Sequence, residues 1–167
     1  MTLQEIKTLH AFSSWATNRI LDALAQMPED LYVKDMKSSH GGIHGTLVHL
    51  IGAEKRWLAR FNGIPAQKLP SMEGIASLKE AKAAWEATGF DMARFLGTMT
   101  DKKLQDRFTM TLSSGQTFQH TYVQGFLHAI DHSTYHRGQI VSMMRQAGVK
   151  PPNTSMIGFF RETAPLM

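Results

Sequence analysis

The stretch from His128 to Gln139 reads His-Ala-Ile-Asp-His-Ser-Thr-Tyr-His-Arg-Gly-Gln and sets three histidines at intervals of four. On a helix, residues four apart lie on one face, so neighbours in this ladder can turn both imidazoles to one ion. Imidazole is the commonest neutral metal ligand near physiological pH, and two rings on a rigid backbone need little reorganisation to bind. The outer two cannot share an ion, because eight residues span ~12 Å of helix axis. The pair is therefore His128/His132 or His132/His136. At ~100° per residue, Tyr122, Phe126, Ala129, Ile130, Ile140, Met143 and Met144 gather on one side. His136 borders that apolar arc, His132 stands a little further out, and His128 falls towards Gln124, Asp131, Tyr135 and Ser142. A ligand must face the interior of a bundle to meet one from another helix, which favours His132 and His136 with a third ligand from elsewhere.

This ladder belongs to a long helix from about Thr121 to Ala147, closed by Gly148 and by Pro151-Pro152 beyond it. Asn153-Thr154-Ser155 then cap a short final helix, Met156 to Glu162. Ahead of the long helix the period changes from helical to alternating. Phe108, Met110 and Leu112 alternate with Arg107, Thr109 and Thr111, Ser113-Ser114-Gly115 turn the chain, and Thr117-Phe118-Gln119 follow, so residues 106–120 form a small hairpin. A two-stranded hairpin is marginal alone and has to pack on the helices.

Three more amphipathic segments precede it. Thr2 and Glu5 make a capping box, and apolar residues at helical spacing run from Leu3 to Met27, where Pro28 ends the helix. Trp15 lies within that run and is read as core. Residues 29–41 form a polar connector ending in Ser38-Ser39-His40-Gly41-Gly42. A second helix runs from about Ile43 to Phe61, stopped by Asn62-Gly63 and Pro65. His40, His44 and His49 cluster at its start; periodicity slightly prefers His44, at the edge of the main apolar stripe, over His49, which falls near Ala53 and Trp57, and leaves the ligand from this helix open. A loop with Pro65 and Pro70 leads to Ser77, an N-cap with Glu80 at N3. The third helix, Leu78 to about Met99, buries Ala81, Ala84, Trp85, Phe90, Met92, Phe95 and Leu96, and residues 100–104 make a turn or a one-turn helix.

Four long amphipathic helices define an all-α fold, a four-helix bundle with a small β-hairpin before its last long helix. The length of 167 residues suits one domain, 1–167, large enough to bury a core. A hydrophobic fraction of 43% and a charged fraction of 19% are those of an ordinary soluble protein. With no cysteine, a disulfide framework and any thiolate metal site are excluded, which suits a cytoplasmic setting. The chain reads without a signal peptide or an apolar run of the ~20 residues that cross a bilayer. Eighteen basic against fourteen acidic residues give +4, but the surplus is scattered rather than gathered into a patch, so nucleic acid ranks last among partners.

Two blocks carry a family resemblance: His44-Gly45-Thr46-Leu47-Val48-His49-Leu50-Ile51-Gly52-Ala53-Glu54-Lys55-Arg56-Trp57-Leu58-Ala59-Arg60, and Asp131-His132-Ser133-Thr134-Tyr135-His136-Arg137-Gly138-Gln139-Ile140. With Trp15-Ala16-Thr17-Asn18-Arg19, they make the chain resemble the DinB/YfiT-like superfamily of metal-dependent bundle proteins, over nearly its whole length. The resemblance implies up-down-down-up order, a homodimer, and a divalent ion held by His49, His132 and His136. His128, Glu54, Arg137 and Gln139 become candidates for supporting or lining the site. Asp131 stands where the family usually has Asn, and Tyr135 where it usually has a further His; neither is a mapped ligand, and both bear on hydrogen bonding around the site.

Three neutral nitrogens leave an ion its full charge and an open position, an arrangement of catalytic type. Imidazole suits zinc, nickel, iron and copper, and manganese less well. Thiol-dependent transferases within the superfamily imply a small-molecule substrate and a low-molecular-weight thiol. The expected function is a metal-dependent transferase or hydrolase, set against a non-catalytic metal- or ligand-binding dimeric bundle with a stress-response role.

Overall fold

The computed structural model describes residues 1–65, 73–112 and 114–163. Pro70 of the long loop and Ser113 of the hairpin turn lie outside the described residues. The elements are α1 (Leu3–Leu24), α2 (Glu29–Tyr32), α3 (Ile43–Phe61), α4 (Leu78–Gly97), α5 (Asp101–Gln105), β1 (Arg107–Thr111), β2 (Thr117–Thr121), α6 (Tyr122–Gln146) and α7 (Met156–Thr163). Capping boxes start α1, α4 and α6: the Thr2, Ser77 and Thr121 hydroxyls accept from the N3 backbone, and the N3 side chains of Glu5, Glu80 and Gln124 accept in return. Each box satisfies two of the donors a helix start leaves orphaned.

Cross-helix pairs set the direction of the chain. His10 of α1 meets Glu54 near the end of α3 at 3.1 Å, so these two helices run antiparallel. Asn18 and Asp22 of α1 receive Trp85 and Lys82 from the start of α4, at 2.7 and 3.2 Å, which makes α4 antiparallel to α1 and parallel to α3. Tyr122, opening α6, donates to the carbonyl of Phe61, which closes α3, at 3.2 Å. The order is up-down-down-up, with α6 antiparallel to α3. A parallel α3–α4 pair requires the connector between them to return along the bundle, which explains a loop longer than adjacent antiparallel helices need.

The interior is layered. One apolar cluster joins Ile20, Leu24, Leu47, Leu50, Trp85, Ile140 and Met144; another, at the hairpin end, joins Ile6, Trp57, Phe61, Met92, Leu96, Phe108 and Phe126. Between them lies a polar belt of buried Ser13, Thr17, Glu54, Thr88, Ser133, His136 and Arg137. A buried polar group costs free energy unless it is hydrogen-bonded, and the Arg137 guanidinium meets that demand by donating to Ser13 and Thr17 of α1 and to Thr134. The last helix, α7, packs Phe159 on Phe12 and Trp15, while Glu162 accepts from Trp15 and Arg19 at 3.0 Å.

Three expectations need correction. The first helix ends at Leu24 rather than Met27, and the connector after it contains the one-turn helix α2. Phe90, expected on the buried side of the third helix, is 79% exposed. The buried positions of α4 are Ala81, Trp85, Thr88, Met92 and Leu96; Phe90 lies two residues from both Thr88 and Met92, which puts it on the opposite face.

Candidate metal centre

The site forms where α3 and α6 pack together, halfway along the bundle. His49 comes from α3, His132 and His136 from α6, and His40 from the loop before α3. The His40 and His49 rings stack with centroids 3.9 Å apart. His132 and His136 stand at 4.3 Å, His49 and His136 at 4.6 Å, and His49 and His132 at 5.1 Å. Donor nitrogens of His40, His49 and His136 all lie within 4.8 Å of one another. His132 joins through His49, with the two Nε2 atoms 3.1 Å apart.

His40 is the member that helix periodicity could not assign. It is delivered by a reversal of the chain in which Met36 donates to the Gly41 carbonyl at 2.7 Å, with Lys37 (φ 56°) and Gly41 (φ 81°) in the left-handed region. The loop then lies directly on α3. A Cβ at position 45 would stand 1.9 Å from the His40 carbonyl oxygen, so only glycine allows the approach. The Gly41-Gly42 and Gly45 punctuation around His40 was the available signal, since glycine at close backbone contacts marks chain brought against chain.

Burial drives both His49 and His132 down to about 4, with the neighbouring imidazoles and the Arg56 charge acting in the same direction. Burial lowers His40 as well, helped by His136. These rings are therefore neutral at physiological pH and keep a lone pair that a proton would otherwise occupy. Nδ1 of His136 meets the Gln139 side-chain oxygen at 2.8 Å. That oxygen can only accept, so Nδ1 donates to it, and Nε2 is the ring nitrogen left to serve as a ligand. Nδ1 of His132 is buried without a partner among the described residues.

The donor set fits a divalent cation. Two nitrogens sharing a tetrahedral ion at ~2.0–2.1 Å stand about 3.3–3.4 Å apart, near the 3.1 Å between His49 and His132. Neutral imidazoles suit zinc, nickel, copper or iron better than the oxygen-seeking magnesium and calcium.

The remaining candidates divide. Gln139 orients His136 as described. Tyr135 is 65% exposed, with its ring edge-on to His136 at 5.1 Å, and Asp131 is exposed. His128 is exposed one turn from His132, ring to ring 6.1 Å, and lies 5.1 Å from Trp57. Glu54 and Arg137 turn the other way, into the polar belt. Glu54 is taken up by His10 of α1, a partner the sequence reading did not single out. Arg137 is held by α1, burial pushing it down to about 10 against the opposing charge of Glu54. No helix among the described residues is long and apolar enough to cross a membrane.

An up-down-down-up helical bundle with a cluster of histidines on its central seam defines the class. The DinB family model matches residues 2–167, and the chain belongs to the DinB family. It is 26% identical to Protein DinB of Bacillus subtilis over 145 residues, covering 84% of either chain. A crystal structure of a DinB-like protein from Bacillus cereus superposes with a TM-score of 0.67 at 19% identity, covering 91% of this chain and 97% of the other. That likeness speaks for the fold alone.

Proposed function

We propose that this protein is a metal-dependent enzyme in which His49, His132 and His136 hold a divalent ion and His40 supplies a fourth nitrogen from the loop above it. The observation that supports the reading is the grouping of His40, His49 and His136, whose donor nitrogens lie within 4.8 Å of one another, with His132 joined to it through His49 at 3.1 Å. Surface histidines satisfied by water need neither burial nor mutual approach. His49 and His136 belong both to the set the family resemblance implies and to the tightest nitrogen grouping, so they anchor the site.

The chain's own contribution is positional. Gln139 orients His136, and α3 and α6 hold His49, His132 and His136 on rigid backbone. A bound ion would supply Lewis acidity, lowering the pKa of a water or thiol. Arg56 adds positive charge beside the same rings and favours an anionic reactant. The reaction class these features support is transfer or hydrolysis on a small substrate, with a low-molecular-weight thiol as the matching nucleophile.

Metal analysis of protein purified without an affinity tag tests this. Near-stoichiometric metal in the wild type, lost in His136→Ala and His132→Ala, is the expected result. A wild type that holds no metal and takes up no added zinc, nickel, iron or manganese overturns the proposal.

A further inference from the structure

Beyond the histidines, the same seam carries charge without a counterion. His49, Arg56 and Arg60 recur at seven and four residues and so line one stripe of α3. Side chains on a helix lean towards its N-terminus, so Arg56 leans along the stripe in the direction of His49. Neither arginine has an ion-pair partner among the described residues, although both are partly buried. Arg60 stacks on Trp57, guanidinium to ring centroid 5.1 Å, with its Nε buried and unpartnered among the described residues. A guanidinium stays charged and is costly to hold half-dry without an anion.

An apolar slot opens beside this stripe. It measures about 180 Å³ and is lined by Trp57, Met110, His120, Gln124, Gly125 and His128. The His128 ring links it to the metal cluster, 5.1 Å from Trp57 on one side and 6.1 Å from His132 on the other. A cavity of about 150 Å³ accepts a benzene ring, so the slot has the size of one aromatic or branched aliphatic group. A planar guanidinium pairs with a carboxylate through two parallel hydrogen bonds.

We propose that the histidine cluster is the reactive end of a cleft for a small amphipathic carboxylic acid. Its apolar group enters the Trp57–Met110 slot, and its carboxylate is held by Arg56 with Arg60 one turn behind. This rests on the metal reading for the reactive end but not for the binding of the acid itself.

Calorimetric titration of cobalt-loaded and metal-free protein with 3-phenylpropionate, its neutral amide and acetate tests it. The acid should bind at least tenfold more tightly than the amide, and tenfold more tightly than acetate, in both forms. Arg56→Gln should bring the acid down to the affinity of the amide while cobalt content and visible spectrum stay as in the wild type. Equal binding of acid and amide, no binding of either, acetate binding as tightly as phenylpropionate, or a preference that survives Arg56→Gln overturns the proposal. A wild type that takes up no cobalt yet keeps the Arg56-dependent preference supports the cleft and sinks the metal reading, so the two failures are distinguishable.

Discussion

Nδ1 of His136 and the side-chain oxygen of Gln139 stand 2.8 Å apart, one turn along α6. The hydrogen bond occupies Nδ1 and leaves Nε2 as the nitrogen through which His136 can ligate. Partners of this kind typically account for 10–100-fold in metal affinity. Gln139→Ala should therefore lower metal affinity by at least about tenfold while leaving the urea midpoint close to that of the wild type. An unchanged affinity in a chelator competition assay would show that packing alone orients His136.

Alanine at His40 and at His132 separates the roles of these two histidines. With His132 as ligand and His40 as the added nitrogen, His40→Ala should retain bound metal, with a changed cobalt visible spectrum, whereas His132→Ala should lose it. The reverse pattern would make His40, His49 and His136 the ligand set.

Gly45 is required by proximity. Alanine there puts a Cβ 1.9 Å from the His40 carbonyl oxygen, and backbone has to move. Overpacking of this kind costs about 1–3 kcal/mol. Gly45→Ala should lower the unfolding free energy by that order and disturb His40 first, read by urea denaturation alongside the His40 imidazole resonances. A wild-type midpoint with unshifted resonances would contradict the close approach.

Arg137 ties α6 to α1 through buried Ser13 and Thr17. Hydrogen bonds to a charged group contribute about 1.5–3 kcal/mol each, and truncation leaves their partners dry. Arg137→Ala should destabilise by more than about 2 kcal/mol, and Arg137→Lys should recover only part, since an ammonium cannot reproduce the planar fork. Full recovery by lysine in thermal melts would mean that charge alone matters.

The metal-free protein should lose stability as it is acidified. His49 and His132 titrate at about 4 in the folded chain, below the ordinary 6.5 they regain on unfolding. The unfolded state thus binds more protons between these values, and stability falls as pH drops from about 6.5 through about 4. Bound metal should be released over the same window, since protons compete for the same nitrogens. Urea midpoints of metal-free protein at pH 7.5, 5.5 and 4.5 check this, and a double His49→Gln/His132→Gln variant should show a flatter profile.

What the sequence by itself determined is whatever depends on spacing along one helix. The caps at Thr2, Ser77 and Thr121, the apolar stripes, the alternation that makes the hairpin, and the facing of His132 and His136 all follow from periods of 3.6 and 2. Phe90 marks the limit of that reading, because an aromatic residue in an amphipathic run looks buried until its phase against Thr88 and Met92 is fixed.

Only the tertiary structure decided which side chains from different elements meet. Periodicity favoured His44 on α3, yet His44 reaches instead towards the Ile75 carbonyl, at 3.1 Å, while His49 faces α6. His40 arrives from a loop whose path depends on glycines at positions 41, 42 and 45. Glu54, one helical turn and a residue beyond His49, is drawn to His10 in the polar belt rather than to the histidine cluster. The physical reason is that helix periodicity restricts rotation about one axis, whereas meeting across a seam depends on the offset and crossing of two axes and on the course of the loops between them. Those are set by how two apolar clusters pack around a buried arginine, and no single helix encodes them.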